Sequence, residues 1–167
     1  LDLGKGELEK DFTAALRNNI RNAEKQYRIE KAQSAEDFYA LNWQSFATQQ
    51  LPMPYSEAQF LQLDEQAQQR QARSCYTAIH GTSGVAEAAI YIVYDQQYAY
   101  LLATGRLPSA HSGAVALLIG QALQDLATQG ISIFDFEGSS LRGVEGFFRQ
   151  FGGTLRMGLV VKRMLGR

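Results

Sequence analysis

Apolar residues at the start of the chain recur at three- to four-residue steps. Phe12, Leu16, Ile20, Ala23 and Tyr27 form one stripe, which predicts an amphipathic helix over Glu7 to Gln26. Acidic Glu7, Glu9 and Asp11 gather at its start and Arg17, Arg21 and Lys25 toward its end, the polarity that the helix macrodipole favours. A short strand, Tyr27 to Lys31, follows. Ser34 then fits an N-cap, with Asp37 as the capping-box acid, ahead of a helix carrying Phe38, Leu41, Ser45 and Phe46 at helical spacing. Pro52 and Pro54 end that helix in an extended link, and Ser56 caps a polar, Gln-rich helix running to Arg70.

From Ser74 the period shortens to that of a strand. Cys75 to His80 and Val85 to Asp95 read as strands joined by a Gly81-Thr82-Ser83-Gly84 hairpin turn, and Gln96-Gln97 leads into a third, Tyr98 to Thr104. After a loop from Gly105 to Ser112, Val115, Leu118, Ala122, Leu123 and Leu126 define an amphipathic helix ending at Gly130. Ile131 to Phe136 is a short apolar strand of the buried kind. Leu141, Val144, Phe147, Phe148 and Phe151 mark a further helix closed by Gly152-Gly153, and Thr154 to Met164 reads as a final strand. Leading helices, a central antiparallel meander and a closing strand–helix–strand crossover describe an α/β sandwich on a mixed sheet.

Composition adds boundaries to this picture. A chain of 167 residues with 46% hydrophobic and 20% charged residues is expected to be one globular domain spanning 1–167. The net charge of −1 supplies no bulk attraction to nucleic acid or anionic membrane. Cys75, the single cysteine, lies in an apolar run and is expected to be a buried small hydrophobe. No apolar stretch approaches the roughly 20 residues of a membrane helix and no signal peptide is evident, so the expected location is cytoplasmic. The chain begins with Leu1, which fits one half of a longer two-domain protein as well as a single domain.

Three segments resemble a known family. Arg17-Asn18-Asn19-Ile20-Arg21-Asn22-Ala23-Glu24-Lys25 is similar to the R-x-x-I-R-x-A-E-K helix that opens the acyltransferase half of FemAB-like proteins. Phe134-Asp135-Phe136-Glu137-Gly138 resembles the strand end of that group, and Phe147-Phe148-Arg149-Gln150-Phe151-Gly152-Gly153 its following helix terminus. The resemblance implies a GNAT-type fold: a mostly antiparallel mixed sheet, helices on both faces, and an amine attacking an acyl group bound in a splayed sheet. It implies an N-acyltransferase whose donor is acyl-CoA, as in ordinary GNAT enzymes. The alternatives are aminoacyl-tRNA, used by FemAB-like peptidyltransferases, and a catalytically silent half that binds a ligand or packs on its sister domain. The loop Arg106-Leu107-Pro108-Ser109-Ala110-His111-Ser112-Gly113-Ala114 departs from the Q/R-x-x-G-x-G/A pattern of acetyl-CoA users and keeps only one of the glycines.

Within that frame several residues carry candidate chemistry. The loop runs into a helix N-terminus, a ready anion site. Ser109 and Ser112 offer hydroxyl donors and Arg106 a charged one, beside Thr104 and Gly113, and one of the two serines is expected to cap the helix. Glu137 ends the strand that carries Asp135, where ligands of open α/β sheets gather, so Glu137 is a candidate to orient or deprotonate an ammonium group, with Ser139 beside it. Asp135 is expected to be structural, accepting backbone hydrogen bonds at the following helix start. His111 in the donor loop is a candidate acid–base group or an exposed loop histidine, and His80 a surface residue. Tyr100, with Tyr98 on the same strand face, either lines the acyl cleft or packs on the sheet. Arg17 and Arg21 are candidates for substrate phosphates or a solvated helix face. The expected acceptor is a small-molecule or peptide amine; the expected protein partner is a sister GNAT-like domain or a second copy, and no metal site is expected.

Overall fold

The computed structural model describes residues 1–31, 34–138 and 142–156. Two 3-10 turns, Leu3–Lys5 and Leu8–Lys10, precede α1 (Ala14–Glu24), β1 (Tyr27–Lys31), α2 (Ala35–Thr48) and α3 (Glu57–Gln69). The meander β2 (Arg73–His80), β3 (Ala86–Tyr94) and β4 (Tyr98–Arg106) follows, then α4 (Ala114–Thr128), β5 (Ile133–Asp135) and α5 (Arg142–Arg149). The five strands form one sheet in sequence order, antiparallel from β1 to β4 and parallel between β4 and β5.

Both middle helix starts follow from their caps. The Ser34 hydroxyl accepts from Asp37 N, and Ser56 with Gln59 completes a reciprocal capping box. The first helix begins later than its stripe predicts. Thr13, whose hydroxyl accepts from Leu16 N, takes the cap, so Glu7, Glu9 and Asp11 lie before the helix and outside the reach of its dipole. The residues ahead of Thr13 fold instead into the two short turns, which bury Leu3 and Leu8 in the core. Arg17 ties them to the helix by donating to the main-chain carbonyls of Glu9 and Phe12. At the other end, Thr154–Arg156 are irregular and not extended into a strand; the rest of the expected final strand lies outside the described residues.

The sheet separates two apolar layers. On one face Phe12, Leu16, Leu118, Leu123, Leu126, Phe134 and Phe151 pack over Tyr76, Ile90 and Ile92 beneath α1 and α4. On the other, Phe38 and Phe60 of α2 and α3 pack on Tyr91. Tyr91 also donates to Asp64 of α3 at 2.6 Å, and Arg73 pairs with the same carboxylate at 3.1 Å, so the polar groups under α3 are paired where water is excluded. Cys75 is buried as expected, and burial pushes its thiol up to about 12.

The pairing of β3 with β4 contains one irregularity. Tyr91 pairs with Ala103 and Ile92 with Leu101, which leaves Leu102 as an extra residue. Ala99 and Leu101 belong to the layer under α4, whereas Ala103 belongs to the layer under α2. The bulge therefore reverses which way β4 points its side chains. Beyond it, α2 lies so close that a Cβ on Gly105 would sit 2.7 Å from Asn42 N.

Two of these contacts make testable contributions to stability. Gly105→Ala is expected to cost about 2–3 kcal/mol, because α2 must lift from the sheet; the urea midpoint should fall with an unchanged m value. Asp125 of α4 is partly buried, which opposes its ionisation, but Lys31, Gln121 and Tyr76 bond its carboxylate and together hold its pKa below the ordinary carboxylate value. Its contribution is present above the unfolded-state pKa, roughly 4, and is lost as pH falls through the lower folded value. Asp125→Asn should accordingly flatten the acid limb of a stability-against-pH curve measured by chemical denaturation.

Candidate active site

The parallel pairing of β4 with β5 joins Tyr98 to Ile133, Ala99 to Phe134 and Tyr100 to Asp135, and then stops. β4 continues through Arg106 with β3 on one side and, among the described residues, no strand on the other. The sheet thus opens along β4 just where the bulge lies. Leu102 is exposed there.

Alternation along the strand identifies which backbone groups line the open side. Leu107 N donates to Glu87 O at 2.8 Å, toward β3, so the N–H and C=O groups of Arg106 and Thr104 point away from β3. Helix α2 meets them. Asn42 Nδ2 donates to Thr104 O at 2.6 Å, Arg106 N donates to Ser45 Oγ at 2.6 Å, and Ser45 Oγ donates to Arg106 O at 2.9 Å. Tyr55 holds the Asn42 side chain by donating to its Oδ1 at 2.6 Å. Between the end of β5 pairing and this clamp lies the stretch Leu101–Leu102, to which neither element is bonded.

One wall beside the opening is aromatic and acidic. Tyr98 and Tyr100 stack with ring centroids 6.2 Å apart and planes 18° from parallel. Asp135 lies in register with Tyr100, and its Oδ1 accepts from Glu137 N at 2.8 Å, the structural role expected of it. That bond accompanies a φ of 61° at Glu137, a left-handed conformation that costs a non-glycine residue on the order of 1 kcal/mol. The Glu137 side chain is exposed. Desolvation first, then the negative charges of Asp95, Asp135 and Glu137, raise the Tyr100 hydroxyl above its ordinary pKa. Glu137 thus lies two residues beyond Asp135, the register partner of Tyr100.

The loop from Arg106 to Gly113 is built differently from expectation. Gly113 is the N-cap of α4 and makes no side-chain cap bond, so neither Ser109 nor Ser112 caps the helix. Ser112 Oγ donates instead to Asn19 Oδ1 of α1 at 3.1 Å, and Ser109 is exposed. His111 takes the place of a cap, its Nδ1 accepting from Gly113 N at 3.0 Å, which leaves the ring proton on Nε2 of the neutral ring. His111 N in turn donates to the Tyr27 hydroxyl at 2.9 Å, and that hydroxyl donates to Glu87 at 2.5 Å. The single glycine the loop retains serves packing: a side chain at Gly113 would collide with the Asn19 carbonyl. Val115 and Ala116, next in the first turn, have N–H groups with no intrahelical acceptor.

The other candidates lie apart. Arg17, engaged with Glu9 and Phe12, borders a cavity of about 720 Å³ with Leu8, Lys10, Gln124 and Thr128, on the side where α1 packs on α4. Arg21 is exposed in the last turn of α1. His80 caps its hairpin turn, with Nδ1 accepting from Ser83 N. Ser139 lies outside the described residues. Among the described residues there is no grouping of His, Cys, Asp or Glu suited to a metal ion.

Asn42, Ser45 and the bulge at Leu102 escaped the sequence pattern. Asn42 left one signal, since it follows Leu41 on a helix whose neighbouring positions are apolar. A polar amide buried there requires a partner on whatever the helix covers.

The opened β4 edge, the helix N-terminus beyond it and the sheet order agree with the likeness of this chain to known proteins. Among solved structures, FemX superposes with a TM-score of 0.78 at 10% identity, over 90% of this chain and 57% of FemX, so the chain spans little more than half of that protein. AAC(6')-Iy, an aminoglycoside N-acetyltransferase solved with a CoA-containing bisubstrate analogue, superposes with a TM-score of 0.58 at 18% identity, over 83% of this chain and 99% of that one. Glucosamine-6-phosphate N-acetyltransferase from Arabidopsis thaliana gives 0.57 at 11% identity, over 82% and 97%. A search of curated proteins finds no match. At these identities the superpositions establish the fold. The model of the acetyltransferase (GNAT) domain family matches residues 10–149, most of the chain, and the protein is therefore a member of that family, with the GNAT fold.

Proposed function

We propose that the protein transfers an acyl group from an acyl-CoA donor to a primary amine at the mouth between β4 and β5. The observation that carries this reading is the stretch Leu101–Leu102, a bulged piece of strand edge to which neither β5 nor α2 is bonded. Backbone N–H groups on such an edge are fixed dipoles, and they stabilise negative charge developing on an acyl oxygen without reorganising. The thioester supplies an activated carbonyl carbon: the amine nitrogen bonds to it as the carbon–sulfur bond breaks.

Glu137 and Tyr100 form the acceptor side. An amine is protonated at neutral pH and must lose a proton before it attacks. Glu137, exposed beside the stacked tyrosines, attracts the ammonium form and accepts the proton directly or through one water. Toward the other end of β4, the N–H groups of Val115 and Ala116 in the first turn of α4 and the side chains of Ser109 and Arg106 favour the donor's phosphates. His111 and Ser112 act on the loop and not on the reactants, because their side chains hold Gly113 and Asn19.

Thermal denaturation with CoA, acetyl-CoA and aminoacyl-tRNA tests the donor. Saturable stabilisation by the CoA compounds is expected, about 2.7 kcal/mol at a ligand concentration one hundred times Kd. Stabilisation by aminoacyl-tRNA alone would replace the donor, and no response to any of the three would remove the enzymatic reading for this chain. Once an acceptor amine is found, Glu137→Gln should lower kcat about 100-fold with a smaller change in KM.

A further inference from the structure

Helix α2 bonds the part of β4 that leads from the open strip to the donor loop. Thr104 O and both backbone groups of Arg106 point out of the sheet, and each already has a partner on α2. A donor lying along this edge from Leu101 toward the N-terminus of α4 meets backbone groups that are not available to it.

The two clamping residues differ in how firmly they are held. Asn42 is buried, and its amide is fixed at both ends, by Thr104 O and by the Tyr55 hydroxyl. Gly105 presses against the same turn of α2, so this contact cannot open without moving the helix. Ser45 sits one turn on, toward solvent, and its hydroxyl has a second acceptor in Leu41 O at 3.3 Å. A serine in a helix satisfies itself by back-bonding to the carbonyl four residues earlier. Rotation about the Cα–Cβ bond moves this half-exposed hydroxyl off both backbone groups of Arg106 and toward water, which can replace the partners it gives up.

We propose that Ser45 is a donor-positioning residue that gates the outer edge of β4, occupying the Arg106 backbone in the free protein and yielding it to an acyl-CoA donor. The gate rests on the reading of this edge as the donor edge. It sets how far along β4 the donor can pair: Thr104 O stays with Asn42, and the Arg106 backbone is the contact that changes hands. Donor affinity is lowered by the strength of the bonds that Ser45 gives up.

Titration calorimetry with CoA, on wild type and Ser45→Ala, tests the gate together with amide hydrogen exchange at Arg106. Removing the competing hydroxyl should lower Kd for CoA about five-fold, the scale of one released hydrogen bond. In free Ser45→Ala the Arg106 amide should exchange faster than in wild type, and CoA should restore its protection. A structural role for Ser45 would not produce that ligand-dependent reversal. Equal affinities, or weaker binding by Ser45→Ala, would overturn the gate and leave the donor assignment intact. Failure of both proteins to bind CoA would overturn the donor assignment and the gate with it.

Discussion

Two parallel strands that part after three residue pairs leave a row of backbone N–H and C=O groups with no β5 residue to bond. Such groups are costly to leave unsatisfied away from water, and everything around the β4 edge answers that constraint. The bulge at Leu102 turns the strand so that its later residues face α2. Gly105 then lets α2 approach, and Asn42 and Ser45 bond what a longer β5 would have bonded. The stretch Leu101–Leu102 remains between β5 and this clamp.

Hydrogen bonds hold both ends of these surroundings. At the loop before α4, hydrogen bonds run from Glu87 through Tyr27 to His111 and on to Gly113, while Ser112 is bonded to Asn19. A loop with only one glycine can still be held close to α4 because that glycine sits against α1 and the polar groups around it are paired. At the β5 end, the left-handed Glu137 is fixed by its backbone bond to Asp135 and is open to solvent.

Much of the fold was legible in order. Periods of two and three to four residues located the meander and four of the helices, and the serine caps at Ser34 and Ser56 set helix starts. The errors have local causes. The stripe through Phe12 and Leu16 does not record where a helix begins, and Thr13 decided that by capping it. Ser109 and Ser112 are both sensible caps by composition, but neither caps α4, and Ser112 bonds to Asn19 across the α1–α4 contact. Arg17 is bonded to the main chain of Glu9 and Phe12 on a helix that packs on α4, and Arg21 is exposed on the same helix.

The sequence by itself determined most of the elements, their order and the family resemblance. These depend on periodicity and on short motifs, which are local properties of the chain. It also brought Glu137 and Tyr100 forward, because a strand end and a strand face can be read from alternation. Tertiary structure alone decided that β4 gains an extra residue at Leu102, that its pairing with β5 stops at Tyr100, and that α2 covers Thr104 and Arg106. Those facts depend on register between strands and on the approach of a helix whose Asn42 lies 62 positions before Thr104. Side-chain patterning encodes neither, since the groups involved are backbone atoms common to every residue.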